Sequence, residues 1–359
     1  MPIQGEGEIA AFARIEDPWY ISLVAEVEQA PQKFKEKWRV EDGLFYKFRE
    51  DKLLDPIEDG IERWRLAVPA EHRQRVLEDA HNEVIAGHLG LEKTYDRVAR
   101  EYYWPGVWHD VKAFVKSCET CKRYKIPQTG PQGLMGRRIV ERPWAVIAAD
   151  MMESPRSKGG FKYVFVIQDL FTRYLELKPL RRANGKAVAD TLEELIFFRW
   201  EVSDFLLTDN GREFINKTLK TVLDEYGVYH VTTPPYHPQA NPVERSNRTL
   251  KTLIAIYAQK DHREWDRHLP ELRQAINTSV QSTTKVSPAY LNFGRHPQQP
   301  KSLRREVEAR GPKIRIDPSV WADRVRRLDA LRDLVAKHID KAFARQNRCQ
   351  DIGKWLPPL

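Results

Sequence analysis

Ala145-Val146-Ile147-Ala148-Ala149-Asp150-Met151 is an apolar run interrupted by a single charge. A short run of this kind, with turn signals further along, reads as a strand buried in a sheet. A carboxylate inside such a strand is costly unless it is paired or bound to a metal, so Asp150 asks for a functional explanation. The pattern continues with strands at Tyr163 to Gln168 and Tyr174 to Leu180, a helix over Lys186 to Trp200, and a short strand at Phe205 to Thr208. A helix over Ile215 to Glu225 and a strand at Val228 to Thr232 follow. Pro234 to Pro242 is a proline-broken loop. Val243 to Lys260 then reads as a long helix with Leu250, Leu253, Ile254 and Tyr257 on its inner face, and Trp265 to Ser279 as one more helix.

Three strands, a helix, a strand, a helix, a strand and a long helix follow the order of a ribonuclease-H-like fold, an analogy that by itself carries no chemistry. Two further carboxylates sit at its informative points. Asp209 ends the fourth strand, where α/β sheets place their ligands. Glu244 opens the long helix. Each has an ordinary reading: a paired core Asp, an Asp-Asn-Gly turn, a helix N-terminal Glu favoured by the dipole. Together, on elements that converge in this fold, Asp150, Asp209 and Glu244 form an oxygen-rich set suited to two Mg²⁺ or Mn²⁺ ions. Two such ions support in-line phosphoryl transfer, one at the attacking and one at the leaving oxygen, without a side-chain nucleophile.

A second metal set lies upstream. His81 and His88 precede Cys118-Glu119-Thr120-Cys121. Cys-x-x-Cys lets two thiolates reach one ion from a tight turn, and two imidazoles complete a tetrahedron. Four protein ligands leave no open position, so this ion, one Zn²⁺, is structural and adds its binding energy to folding. Any one of these residues alone is more simply a surface histidine or a buried thiol.

Charge separates the chain further. Residues 1–60 hold 8 basic against 14 acidic side chains, and the remainder holds 51 basic against 37 acidic. A basic excess confined to the motif-bearing part points to a polyanion, with nucleic acid the first candidate. No window approaches the roughly 18 apolar residues of a membrane span, and three cysteines argue against a disulfide framework. The expected organisation is an acidic extension over 1–65, with a β-hairpin turning at Asp42-Gly43, and a helical zinc-binding domain over 66–126. A Gly/Pro linker over 127–140 leads to the catalytic core over 141–295. A linker over 296–319 and a basic amphipathic helix and tail over 320–359 complete it. The fold class is multi-domain, α+β and α/β.

The residues at this point resemble a known family, the integrases of gypsy-type LTR retrotransposons and retroviruses. The zinc set with Ala86-Gly87-His88-Leu89-Gly90 and Tyr103-Trp104-Pro105-Gly106 resembles their amino-terminal domain. Thr208-Asp209-Asn210-Gly211-Arg212-Glu213-Phe214, Tyr236-His237-Pro238-Gln239-Ala240-Asn241 and Glu244-Arg245-Ser246-Asn247-Arg248-Thr249-Leu250 resemble their core. Ser287-Pro288-Ala289-Tyr290 with Phe293-Gly294-Arg295 resembles the segment after it. The resemblance implies that Asp150, Asp209 and Glu244 are a catalytic triad. It implies 3′-end trimming and DNA strand transfer, a Pol polyprotein origin, a homo-oligomer, no small-molecule substrate, and action in a eukaryotic nucleus after a cytoplasmic particle stage.

Two departures stand out. Between Asp209 and Glu244 lie 34 residues (244 − 209 − 1), one fewer than the usual family spacing, with the deletion falling in the 239–243 loop. The family's terminal β-barrel has no counterpart before Leu359, which keeps open a domesticated or truncated DNA-binding protein with reduced or no joining activity. The expected DNA contacts are Arg245, Asn247, Arg248 and Lys251 on the long helix and Tyr236 and His237 before it. Lys122, Arg123 and Lys125 after the zinc cysteines are expected to join them, as contacts that position DNA without reading sequence.

Overall fold

The computed structural model describes residues 16–29, 37–49, 64–125, 140, 142–233, 243–259, 261–297, 302–308, 325–326, 328–342 and 344. The chain divides into two compact units, 1–119 with 298–328, and 120–297 with 329–359.

In the first unit, helix α1 (Pro18–Gln29) precedes strands β1 (Trp38–Glu41), β2 (Leu44–Phe48) and β3 (Trp64–Ala67). Helices α2 (Ala70–His81) and α3 (Leu91–Glu101), strand β4 (Tyr102–Tyr103) and helix α4 (Val107–Ser117) follow, and helix α5 (Glu119–Tyr124) starts where the division falls. The hairpin turns where expected, with Asp42 and Gly43 both at positive φ. It does not stand apart. β2 pairs with β3, and β3 pairs in parallel with β4, so the acidic segment and the zinc-ligand segment contribute strands to one sheet, ordered β1-β2-β3-β4. Helix α1, which periodicity did not reveal, packs Tyr20, Leu23 and Val27 against Phe45 and Ala67. Its leading Asp17 supplies a cap that Pro69 cannot: the Ala70 amide donates to Asp17 Oδ2 at 3.0 Å, and Arg73 pairs with the same oxygen. Within the 296–319 segment read as linker, a short helix (Leu303–Glu308) belongs to this unit. Leu303 joins its core, and the Arg304 amide donates to the Tyr102 hydroxyl at 3.0 Å.

The second unit is built on β5 (Val146–Glu153), β6 (Tyr163–Asp169), β7 (Leu175–Leu180), β8 (Phe205–Thr208) and β9 (Tyr229–Thr232). The sheet order is β7-β6-β5-β8-β9, antiparallel through β7, β6 and β5 and parallel through β5, β8 and β9. This is the ribonuclease-H-like order expected from the strand and helix sequence. Ile147, Ala148 and Ala149 are fully buried in the central strand, which explains why it reads as continuous apolar sequence. Helix α6 (Gly185–Leu192) runs on as a π-helical turn (Glu193–Phe197), and α7 (Lys217–Tyr226) packs with it through Leu219 and Leu223. Asn184 and Asn216 cap the two helices through their side chains. Helix α8 (Val243–Tyr257) lies against β5 and β6.

After α8 come α9 (Leu269–Asn277) and α10 (Pro288–Phe293). Asn277 closes the sheet's outer edge. Its Oδ1 accepts from the Leu175 amide, and its Nδ2 donates to the Leu175 carbonyl, both at 2.8 Å. A side-chain amide thus substitutes for a neighbouring strand. The basic amphipathic helix expected from 320 onward is described over 325–326, 328–342 and 344, with Leu331 and Val335 buried.

Candidate active site and metal centre

The zinc ligands are brought together by three local devices. His81 ends α2. Gly87 and His88 are both left-handed, at φ 72° and 42°, and this turn sends the His88 amide back to donate to the His81 carbonyl at 3.0 Å. The Cys118-x-x-Cys121 turn lies between α4 and the first turn of α5. The ligand atoms of His81, His88, Cys118 and Cys121 all lie within 4.8 Å of one another, and Cys118 Sγ is 3.4 Å from His88 Nδ1. His81, His88 and Cys121 are buried. Two sulfurs and two imidazole nitrogens in this arrangement are the donor set of a structural Zn²⁺.

A supporting residue fixes how His81 can serve. The Thr94 hydroxyl donates to the Leu89 carbonyl at 3.2 Å, and it lies 3.2 Å from His81 Nδ1. With its one proton committed, the hydroxyl accepts from Nδ1–H. That leaves Nε2 of His81 with the lone pair for metal. In His88 it is the other nitrogen, Nδ1, that lies beside Cys118.

The carboxylates are assembled by sheet register. Ala148 of β5 pairs with Leu207 of β8 in parallel. Asp150 and Asp209 each lie two residues further on, and residues two apart share a face of a strand. Asp150 is half-buried on β5, while Asp209, just past β8, is exposed. The Asp209 turn is held from three sides. The Gly211 amide donates to Asp209 Oδ1 at 3.0 Å, the Thr208 hydroxyl donates to the Asp209 carbonyl at 2.7 Å, and Asn210 Nδ2 donates to the Thr233 carbonyl at 2.9 Å. Because the Thr208 proton is spent on that carbonyl, the Thr208 oxygen accepts from His230 Nε2, 2.8 Å away. Burial holds the His230 pKa below its ordinary value, favouring a neutral ring.

Glu244 stands exposed in the first turn of α8. Burial pushes the Asp150 pKa upward, and the charges of Asp209 and Glu244 push it further, while the Met151 amide and Asn247 oppose them. Burial also raises Glu244, and Arg248, one turn along, lowers it. The carboxylates at the end of β8 and the start of α8 therefore both bear on Asp150 in β5. A like-charge set of oxygens on rigid elements is suited to a hard divalent cation, which relieves their repulsion. It is a looser group than the zinc set, which alone among the described residues closes to within 4.8 Å.

Residues 68–127 match the family model of the integrase zinc binding domain, and residues 140–238 match that of the integrase core domain. The chain thus carries an integrase zinc binding domain followed by an integrase core domain. The gypsy retrotransposon integrase-like protein 1 of Bos taurus is 27% identical over 246 residues, which are 68% of this chain and 48% of the relative. The Homo sapiens protein of that name is 26% identical over 258 residues, 71% of this chain and 49% of the relative. The retrovirus-related Pol polyprotein from transposon 412 of Drosophila melanogaster is 26% identical over 234 residues, 64% of this chain and 19% of the polyprotein. The chain spans about half the length of the integrase-like relatives. A chain of the simian T-cell lymphotropic virus intasome, solved with PP2A regulatory subunit B56 gamma, aligns with a TM-score of 0.41 and 20% identity. It covers 60% of this chain and 75% of its own.

The expected DNA contacts separate into three groups. Arg245, Arg248 and Lys251 are exposed on α8, and Lys122 and Arg123 are exposed on α5, with Lys125 partly so. Tyr236 and His237 lie outside the described residues. Asn247 is a correction. Expected among the outward contacts, it is only 5% exposed and donates to Asp150 Oδ2. Its spacing held the signal, because Asn247 falls on the stripe with Val243, Leu250 and Leu253 that α8 buries. Thr94 and His230 carry no motif that would single them out, since their roles depend on which residues the fold sets beside them.

Proposed function

We propose that the chain catalyses 3′-end processing and strand transfer of retroelement DNA into target DNA. The observation that supports this best is the electrostatic convergence of Asp150, Asp209 and Glu244 beside the exposed cations of α8. In this reading the three carboxylates hold two Mg²⁺ or Mn²⁺ ions, which when bound activate the attacking oxygen and stabilise the leaving one. The attacker is water in trimming and a DNA 3′-hydroxyl in joining. Arg245, Arg248 and Lys251 hold the phosphate backbone near the carboxylates, and the Asn210–Thr233 and Thr208–His230 contacts keep the Asp209 turn in place. The His2Cys2 zinc site is structural.

The same reading makes the protein a homo-oligomer, because joining two DNA ends in concert takes two active sites. It also makes the nucleus of a eukaryotic host the place of action, since that is where chromosomal target DNA is found. No helix among the described residues is long and apolar enough to cross a membrane. Purified protein with labelled terminal-repeat DNA and Mn²⁺ tests the proposal. Trimmed and joined products should form, and Asp209→Asn should abolish both by at least about three orders of magnitude, as expected when a metal-binding carboxylate is removed. Absence of both products, with Asp209→Asn indistinguishable from the parent, overturns it in favour of a DNA-binding protein without joining activity.

A further inference from the structure

The buried stripe of α8 runs through Val243, Asn247, Leu250, Leu253 and Ile256, so a polar residue occupies a position where an apolar one would pack more favourably. Asn247 Nδ2 donates to Asp150 Oδ2. The orientation of the amide follows from chemistry, since an ionised carboxylate only accepts and the NH₂ must face it. The Met151 amide donates to the other oxygen, Oδ1, at 2.8 Å. Asp150 is thus held by one donor from its own strand and one from the helix that carries Glu244. Asn247 Oδ1 is buried with no hydrogen-bond partner among the described residues. An amide that leaves its own acceptor unmet is a poor choice for packing alone. Asn247 follows Glu244 by three residues, so the two share a helix face.

We propose that Asn247 is a positioning residue. Its amide fixes the Asp150 carboxylate in the orientation that accepts a divalent cation, and it ties the spacing between Asp150 and Glu244 to the seating of α8 on β5. This rests on the reading of Asp150 as a metal ligand. Residues that orient a metal ligand typically change metal affinity about ten- to a hundredfold when replaced.

The test is Mn²⁺ binding to the full-length protein, followed by titration calorimetry and by the rise in melting temperature on adding Mn²⁺. Asn247→Leu removes the donor at similar volume, and Asn247→Asp replaces it with a near-isosteric carboxylate. Asn247→Leu should weaken Mn²⁺ binding about ten- to a hundredfold, in line with that range. Asn247→Asp should show a larger Mn²⁺-dependent rise in melting temperature than the parent, because the ion relieves the added repulsion with Asp150. A packing role would shift the metal-free melting temperature and leave the Mn²⁺ increment unchanged. If Asn247→Leu does not fold, Asn247→Asp carries the test, and a parental increment overturns the proposal. If Asp150→Asn loses Mn²⁺ binding while both Asn247 variants bind as the parent does, the proposal fails and the metal reading stands. If Asp150→Asn itself binds Mn²⁺ normally, the metal reading fails and takes this proposal with it.

Discussion

His81 shows how much of a metal site rests on residues that never touch the metal. Its ligand nitrogen is selected by Thr94, whose hydroxyl spends its proton on the Leu89 carbonyl and turns a lone pair toward Nδ1. Thr94→Val should keep the fold and weaken zinc about ten- to a hundredfold, measured by competition against a chromogenic chelator. An unchanged affinity would remove Thr94 from the zinc assembly. The same logic operates at Asp209, where Thr208 is held between the Asp209 carbonyl and His230. His81, His88, Cys118 and Cys121 were legible in the sequence because spacing and residue type suffice to mark ligands. Thr94 and His230 were not, because a hydrogen bond across an interface leaves no periodic or compositional mark.

Among the elements, the edge strand β7 depends on a side chain in place of a sixth strand. Asn277 satisfies both backbone groups of Leu175, and Glu176 beside it is buried between Arg199 and Arg273. Asn277→Ala should lower the unfolding free energy by about 2–3 kcal/mol, since it leaves a buried donor and acceptor unmet. Chemical denaturation with an unchanged m-value would show it, and a loss under about 0.5 kcal/mol, the usual scale of a surface change, would refute the role. Helix α8 teaches a related lesson. Periodicity found its start at Val243 and Leu250 and Leu253 on its inner face, but it ran the helix on to Lys260 where the structure ends it at Tyr257, and it grouped Asn247 with the charged DNA contacts. The seating of α8 on β5 turns that residue inward.

For the molecule as a whole, the first unit combines a small sheet with a helical layer that carries His81, His88 and Cys118, while the second has its own apolar core around Ile147, Phe165, Ile167 and Leu206. Zinc analysis should give one ion per chain. A chelator should raise amide hydrogen exchange in α2 and α4 and leave β5 and β6 protected, because metal-binding energy is folding energy only where the ligands reside. Protection unchanged in α2 and α4 would mean the zinc contributes nothing to this fold. The sequence by itself determined the strand and helix order of the second unit, the His2Cys2 set and the hairpin at Asp42-Gly43, all of which are written in local period, spacing and turn chemistry. Only the tertiary structure decided that the hairpin joins the zinc module in one sheet, that residues 303–308 form a helix of the first unit, and that Asn247 faces Asp150. Those outcomes depend on pairings between segments far apart in the chain, where each backbone and side-chain donor takes whichever buried acceptor the packed elements bring within reach.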